Sequence, residues 1–139
     1  MIGVVIVTHG GLGGALLNAA ELIMGKQENV KAVAFESGQA VADLQVRITQ
    51  ATEEVEKGQG TLILVDILSG SPYNASALLA VEQSNTEVIT GVNLPMLLSI
   101  LPMRNLKLAN VADLAVTSGR DGIEKFTMKN SRNFGTKKS

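Results

Sequence analysis

The sequence predicts an α/β fold: an open, mostly parallel, doubly wound sheet flanked by helices. Four short runs of apolar and β-branched residues recur along the chain, and patterns typical of amphipathic helices lie between them. The near-continuous apolar character of the runs is typical of parallel strands covered on both faces. Strands that alternate with helices at this spacing favour right-handed crossovers within one sheet. We therefore expect the flavodoxin-like strand order 2-1-3-4.

The predicted strands are IGVVIV (2–7), VKAVAF (30–35), TLILVDI (61–67) and TEVITGV (86–92). The first helix is predicted over residues 12–24 and ends before Gly25, a residue suited to the conformation that follows a helix end. Apolar residues at helical spacing are expected on its buried face: Leu16, Ala19, Ala20 and Ile23. The second helix has a comparable face: Val41, Leu44, Ile48, Ala51 and Val55.

The later helices are marked mainly by prolines and capping residues. Ser71 is predicted to be the N-cap of the third helix, with Pro72 in the first helical position. Two further helical segments, LPMLLSILPM and VADLAVTSG, follow the fourth strand and are separated by Pro102 and a polar turn.

The composition indicates one globular domain, residues 1–128, followed by a basic polar tail, residues 129–139. Hydrophobic residues make up 45% of the 139-residue chain, and no apolar stretch approaches the about 20 residues of a membrane span. A net charge of −1 and 3% aromatic residues disfavour nucleic-acid binding. Without cysteine and with one histidine, the chain is not expected to hold a metal. No signal peptide is recognisable, so we expect a cytoplasmic protein that uses no cofactor.

Two polar residues interrupt the apolar pattern where strands end. His9 ends the first predicted strand and Asp66 ends the third. In an open α/β sheet the reaction site lies beyond the carboxyl ends of the strands, where the strand order reverses, here between the first and third strands. We therefore expect these two side chains to meet in one crevice.

The pairing of His9 with Asp66 suggests a nucleophile. A carboxylate that accepts a hydrogen bond from one imidazole nitrogen fixes the tautomer and leaves the other nitrogen free to react. Structural roles are the alternative: a spacer for His9, and a cap of a nearby turn for Asp66.

The segment SGSPYN, residues 69–74, has the features of an anion site. A helix N-terminus exposes N–H groups that favour negative charge, and phosphate is the anion that uses such a site best. A well-capped helix without a ligand would explain Ser71 but not Ser69 or Gly70. The candidate residues are His9, Asp66 and Ser71 as catalytic groups, and Ser69, Gly70 and Gly10 as phosphate contacts. Together they favour phosphoryl transfer through a histidine.

The glycine-rich turn HGGLGG, residues 9–14, leaves a second function open. Gly11 and Gly13 follow the first strand and Glu36 lies near the end of the second, which partly matches a dinucleotide-binding fingerprint. Leu16 stands where that fingerprint needs Gly or Ala. The glycines are explained equally well by a tight turn and close packing.

Three motifs resemble the enzyme IIA domain of the mannose-type (mannose/fructose/sorbose) sugar phosphotransferase system, the PTS. They are THGGLGGALLNAAELIMG around His9, LVDILSGSPYNAS around Asp66 and GVNLPML around Asn93. The similarity runs from the first strand to about SGRDGIEKF, which is nearly the whole domain. Many relatives continue through a linker into a fused IIB domain, whereas this chain looks like a stand-alone IIA.

The resemblance implies that His9 accepts a phosphoryl group on Nε2 from the phosphohistidine of the carrier protein HPr and passes it to the IIB component. IIB phosphorylates sugar that enters through a IIC/IID permease, so contact with the membrane is only indirect. Asp66 would hold Nδ1 and Ser71 would lie near the phosphate. The resemblance also implies a homodimer that exchanges a late antiparallel edge strand, for which GIEKFTM, residues 122–128, is the candidate.

Two alternatives stay open beside dinucleotide binding. One is a related IIA-like phosphocarrier that serves dihydroxyacetone kinase, although SGSPYN and GVNLPML look like the sugar-transport branch. The other is a regulatory partner that docks onto HPr without covalent transfer. The sugar itself is not predicted, because the permease and not IIA selects it.

Overall fold

A computed structural model describes residues 1–130, which form one parallel sheet with helices on both faces. The elements in chain order are β1 Gly3–His9, α1 Leu12–Met24, β2 Val30–Phe35, α2 Val41–Val55, β3 Thr61–Val65, α3 Ser71–Glu82, β4 Thr86–Thr90, α4 Leu94–Ile100 and α5 Leu108–Asp121. Short 3₁₀ turns cover Leu101–Met103 and Met128–Asn130. The predicted α/β fold is confirmed. Most of the predicted basic tail, residues 131–139, lies outside the described residues.

The sheet has the order β2-β1-β3-β4, with every neighbouring pair parallel, as predicted. From β1 the chain crosses to β2 on one side, and from β3 it crosses to β4 on the other. The strand order therefore reverses between β1 and β3. α1 and α3 follow these two strands directly, so both helices begin at the carboxyl edge of the sheet beside this crevice.

The central strands divide the core into two layers. Ile2, Val4 and Ile6 pack with α1, α4 and α5 on one face of the sheet. Val5 and Val7 pack with α2 and α3 on the other. Because successive side chains of a strand point to opposite faces, Thr8 continues the first row and His9 continues the second.

β2 has its predicted bounds, β1 continues two residues beyond its predicted end to His9, and β3 and β4 end earlier than predicted. The ladder of β3 ends at Val65, two residues early, because the His9 N–H donates to the Asp66 side chain instead of to a backbone carbonyl. β4 ends at Thr90 because Gly91 takes a φ of +79°, which extended backbone does not allow. Complete burial on both faces holds for the core of β1 and β3 but not for the edge strands.

Three predicted helix features are wrong. Ile23 is 62% exposed, because the close approach of Gly13 to β1 turns Leu16, Leu17, Ala20 and Met24 towards the core. Val41 is 48% exposed, because it is the first residue of α2 and the core contacts begin with Leu44. Ser71 is not an N-cap: Gly70 takes that position with a φ of +89°, Ser71 is the first helical residue, and no side chain caps α3.

The segment proposed for strand exchange, residues 122–128, is not a strand within the described chain. Residues 123–127 have no regular secondary structure, and Ile123, Phe126 and Met128 are largely exposed. The structure describes a single chain, so the exchange stays a prediction.

Candidate functional site

His9 and Asp66 meet at the point where the strand order reverses. The His9 Nδ1 atom lies 2.9 Å from Asp66 Oδ2, and the His9 backbone N–H donates to the same oxygen at 2.9 Å. The other carboxylate oxygen, Oδ1, accepts the N–H of Ile67 at 3.0 Å. The Asp66 side chain is 10% exposed and that of His9 is 47% exposed. The carboxylate is thus enclosed, while the imidazole reaches the surface.

These contacts decide the charge of Asp66. Burial of the carboxyl raises its pKa, and hydrogen bonds from the His9 backbone and ring, together with the attraction of the His9 charge, lower it. The lowering prevails, so the pKa of Asp66 lies below its ordinary value and the group is ionised near neutral pH. An ionised Asp66 accepts a hydrogen bond from Nδ1–H, and in the neutral imidazole the lone pair is then on Nε2.

Gly70 and Phe35 define the surroundings of the His9 ring. A Cβ atom placed on Gly70 would lie 3.2 Å from both Cε1 and Nε2 of His9, so the backbone at the start of α3 passes directly beside the reactive nitrogen. Phe35, the register partner of His9 on β2, meets the imidazole in an edge-on contact with ring centroids 6.2 Å apart. The Nε2 atom therefore lies beside the N-terminal end of α3.

The start of α3 supplies backbone donors to this space. The first intrahelical bond runs from the Asn74 N–H to the Gly70 carbonyl, so the amides of Ser71 and Tyr73 precede the helical ladder. Pro72, at the second helical position, has no N–H. Ser71 is half-buried and Ser69 is exposed, and in the described chain neither hydroxyl hydrogen-bonds to His9 or Asp66. Both serines thus lie in the predicted segment without a direct bond to the pair.

The backbone amide of Gly10, which was expected to contact phosphate, hydrogen-bonds within the protein. Its N–H donates to the Phe35 carbonyl at 2.9 Å and its φ is +56°. The amide is therefore already engaged in the structure. What Gly10 contributes is the turn that separates His9 from α1, a conformation that glycine adopts without a steric cost.

Of the two glycines in the dinucleotide-binding interpretation, Gly13 has a packing role and Gly11 has open space around it. A Cβ atom on Gly13 would lie 3.0 Å from Ile6 Cγ2 and 3.3 Å from Thr8 Oγ1, so α1 approaches β1 closely at this point. Gly11 precedes α1 with an ordinary φ of −85°. The exposed Glu36 is tied to a local turn through its N–H, which donates to Gln39. Close packing, the alternative that the sequence left open, accounts for Gly13.

Thr8 and Phe35 are parts of the site that the sequence reasoning missed. Thr8 is fully buried and hydrogen-bonds across the β1–α1 turn, and Phe35 contacts the His9 ring. The signal for Thr8 was a hydroxyl at the buried end of an apolar strand, next to His9. The signal for Phe35 was its position at the end of the strand predicted to neighbour β1.

One cleft lies away from His9 and Asp66. A groove of about 510 Å³ runs along β4 and is lined by α3 and α5 residues that include Tyr73, Val116 and Arg120, but not by His9 or Asp66. In residues 1–130 no three histidine or acidic side chains come close enough to hold a metal, and none of the helices there could cross a bilayer.

Comparison with known proteins identifies the family of this chain. A family model described as "PTS system fructose IIA component" matches residues 3–116. The mannose-specific EIIAB component of the Escherichia coli K12 PTS is 36% identical over 130 residues, which are 92% of this chain and 40% of that protein. The fructose-specific EIIA component of Bacillus subtilis is 38% identical over 104 residues, 75% of this chain and 71% of that protein. The chain thus spans about two fifths of the length of the EIIAB relative.

Solved structures extend the agreement to the whole fold. The crystal structure of the PTS component EIIA from Streptococcus agalactiae superimposes with a TM-score of 0.82 at 32% identity, over 90% of this chain and 97% of that chain. The mannose/sorbose IIA subunit from Enterococcus faecalis has a TM-score of 0.84 at 17% identity, over 91% of this chain and 96% of that one, and supports the fold alone. The family model and the sequence matches show that the chain belongs to the EIIA-man family.

Proposed function

We propose that His9 carries a phosphoryl group on Nε2, received from the phosphohistidine of HPr and delivered to a IIB component. The observation that carries this proposal is the contact between Nδ1 and Asp66 Oδ2, at 2.9 Å, beside a half-exposed ring. In the neutral form of the imidazole, this contact places the proton on Nδ1 and leaves the lone pair on Nε2. Such a nitrogen is a nucleophile that a second protein can reach.

The transfer is a displacement between two nitrogens. The Nε2 lone pair of His9 forms a bond to phosphorus while the bond from phosphorus to the HPr imidazole breaks, and that electron pair stays on the HPr nitrogen. The His9 ring then carries positive charge, which the ionised Asp66 stabilises through Nδ1–H. In delivery to IIB, the acceptor atom of IIB forms a bond to phosphorus while the bond from phosphorus to His9 Nε2 breaks, and that electron pair stays on Nε2.

The start of α3 is the proposed cradle for the phosphoryl oxygens. The amides of Ser71 and Tyr73 lie outside the helical ladder, and the N-terminal end of a helix favours negative charge. Gly70 leaves the space beside Nε2 free of a side chain. The hydroxyls of Ser69 and Ser71 are further candidate donors in the same segment. Backbone donors of this kind stabilise charge as it develops on the transferred group.

The sugar-transport branch is favoured over a phosphocarrier for dihydroxyacetone kinase. Several of the matching relatives are named for mannose, fructose and sorbose systems. We propose transfer to a IIB component accordingly, with the sugar chosen by the permease and not by this chain. Incubation of the phosphorylated protein with each acceptor separates the two branches, because only the true acceptor removes the label rapidly.

The test of the central proposal is intact-mass spectrometry after incubation with phosphoenolpyruvate, enzyme I and HPr. The wild-type chain should gain one acid-labile phosphoryl group and the variant His9→Ala should gain none. Circular dichroism serves as the control that the variant is folded. A labelled His9→Ala variant would refute the site, and an unlabelled wild type would refute the function. Complex formation with HPr but no labelling would support the regulatory alternative.

We further propose that the protein is a cytoplasmic homodimer in which residues 122–128 pair with the partner's sheet. β4 is an edge strand beside the groove of about 510 Å³, and the apolar side chains of Ile123, Phe126 and Met128 are largely exposed. Light scattering should give twice the chain mass of 14.6 kDa. The variant Phe126→Asp should lower the mass towards that of one chain, and a monomeric wild type would contradict the proposal.

A further inference from the structure

Thr8 is the fully buried polar residue next to His9. It lies near the end of β1, has no exposed surface, and continues the row of Val4 and Ile6 that faces α1. His9 continues the opposite row, towards α3 and Gly70. The two neighbours in sequence therefore point to opposite faces of the sheet, and the Thr8 side chain is shielded from any partner protein.

The Thr8 hydroxyl bridges the turn that follows His9. Its Oγ1 accepts the N–H of Gly13 at 2.8 Å and donates to the carbonyl of Gly10 at 3.3 Å. The Gly13 N–H belongs to the first turn of α1, where backbone donors have no partner within the helix. One buried hydroxyl thus connects both ends of the β1–α1 turn.

Within residues 1–130, Asp66 holds the His9 end of the turn through the His9 N–H, and the Thr8 hydroxyl bonds to the backbone of the turn beyond His9. No residue at the N-cap position of α1 caps the helix, since Gly11 has no side chain. Gly10 has a positive φ and its own amide is bonded to Phe35 across the sheet. A turn rich in glycine has many accessible conformations, so an internal hydrogen-bonded tether decides which of them persists.

We propose that Thr8 is a positioning residue for the phosphoryl transfer at His9, which it serves by holding the β1–α1 turn. This inference rests on the proposed function. The hydroxyl touches neither the reacting nitrogen nor the donor protein. It fixes the backbone on which His9 is presented and the first turn of α1 that lies beside it. Small displacements of a reacting group reduce transfer rates strongly.

Three substitutions at one position separate the hydroxyl from the methyl group. Thr8→Val keeps the shape of the side chain and removes the hydroxyl, which leaves the Gly13 N–H and the Gly10 carbonyl without a buried partner. Thr8→Ser keeps the hydroxyl and removes a methyl group. Thr8→Ala removes both groups. The comparison of Thr8→Ala with Thr8→Ser therefore measures the effect of the hydroxyl when the methyl group is absent. The matched control is Thr52→Val, since Thr52 is a buried threonine on α2 whose hydroxyl donates to Thr49.

The experiment measures the steady-state transfer of phosphoryl groups from phospho-HPr through each variant to a IIB component. We expect Thr8→Val to lower kcat by at least about tenfold and to leave the KM for HPr within about twofold, because a buried hydroxyl cannot contact the donor protein. Thr8→Ser and the control Thr52→Val should keep a kcat close to that of the wild type. These results would show that the rate of phosphoryl transfer depends on the hydroxyl of Thr8 and not on its methyl group.

Hydrogen exchange gives a readout that does not depend on transfer. The Gly13 amide should be protected in the wild type and in Thr8→Ser, and should exchange faster in Thr8→Val. An unprotected Gly13 amide in the wild type would overturn the inference, even if every Thr8 variant proved too unstable to purify.

The remaining outcomes are equally decisive. A Thr8→Val variant that transfers at the wild-type rate, or valine and serine variants that are slowed equally, would overturn the positioning role and leave the phosphocarrier function intact. An increased KM with unchanged kcat would also overturn it, because it would indicate a docking role. A wild-type chain that gains no phosphoryl group would refute the proposed function, and the role of Thr8 in transfer with it.

Discussion

Oδ2 of Asp66 accepts two hydrogen bonds from His9, one from the backbone N–H and one from Nδ1, each at 2.9 Å. A single oxygen therefore holds both the position of the residue and the orientation of its ring. The two residues are separated by 57 positions in the sequence and come together only because β1 and β3 are parallel neighbours.

The first prediction concerns the charge of Asp66. The variant Asp66→Asn can keep a carbonyl oxygen on His9 only by turning its NH₂ group towards the Ile67 N–H, a clash of two donors. It also removes the negative charge that stabilises the phosphorylated ring. We expect phosphorylation by phospho-HPr to slow by about a hundredfold or more, as for other histidines that lose an orienting carboxylate.

The control for this prediction is Asp43→Asn, which changes an exposed carboxylate in the first turn of α2. Rapid-quench kinetics should show the wild-type rate for the control. Equal rates for Asp66→Asn and Asp43→Asn would contradict the assigned role.

The second prediction concerns acid stability. Because the pKa of Asp66 is lowered in the folded protein, the unfolded chain binds its proton more readily. The ionised carboxylate therefore stabilises the fold above its ordinary pKa of 3.8, and this contribution disappears as the pH falls through the lowered folded value. Urea unfolding between about pH 6 and pH 2 should show a steeper loss of stability for the wild type than for Asp66→Asn. Parallel curves would refute the coupling.

The third prediction separates backbone strain from obstruction at Gly70. Alanine at Gly70, with φ +89°, or at Gly58, with φ +94°, is strained in either place and should cost about 1–3 kcal/mol of the free energy of unfolding. Only a Cβ on Gly70 would lie against Nε2, whereas the space around Gly58 is open. We therefore expect Gly70→Ala alone to slow transfer, by about tenfold or more. Equal transfer rates in the two variants, measured beside their urea midpoints, would show that the space near Nε2 is not needed.

The fourth prediction concerns a buried cation far from His9. Arg104 is 5% exposed and donates to the carbonyls of Leu101, Ile2 and Asn29 and to the Gln27 side chain. Desolvation lowers its pKa, and the charge of Glu28 opposes that effect. Arg104→Met leaves these acceptors without their donor, so we expect a loss of about 2–3 kcal/mol of the free energy of unfolding.

Lys57→Met, at an exposed position, is the comparison for Arg104 and should change the free energy by no more than about 0.5 kcal/mol. Both variants should still be phosphorylated, since neither residue lies near His9. An Arg104→Met protein as stable as the wild type would mean that water replaces the lost donors.

Local sequence patterns predicted much of the fold. In residues 1–130, apolar runs located four strands, helical spacing located α1 and α2, and prolines and capping residues marked the three later helices. The reversal rule brought His9 and Asp66 to one crevice. These features depend on the period of the pattern and on connection rules, which are properties of neighbouring residues. The errors fell where one close contact overrides a pattern. Ile23 is exposed because Gly13 packs against Ile6, and Ser71 is not a cap because Gly70 lies against His9.

The sequence by itself therefore determined the α/β class, the strand order and the identity of the histidine and carboxylate. Only the tertiary structure decided the close approach of Gly70 to His9 Nε2, the hydrogen-bonded bridge that Thr8 makes across the β1–α1 turn, and the burial of Arg104. The physical reason is range: hydrophobic periodicity is set by residues a few positions apart. A hydrogen bond or a contact between side chains depends on distances of a few tenths of an ångström, which are fixed only when separate elements pack together.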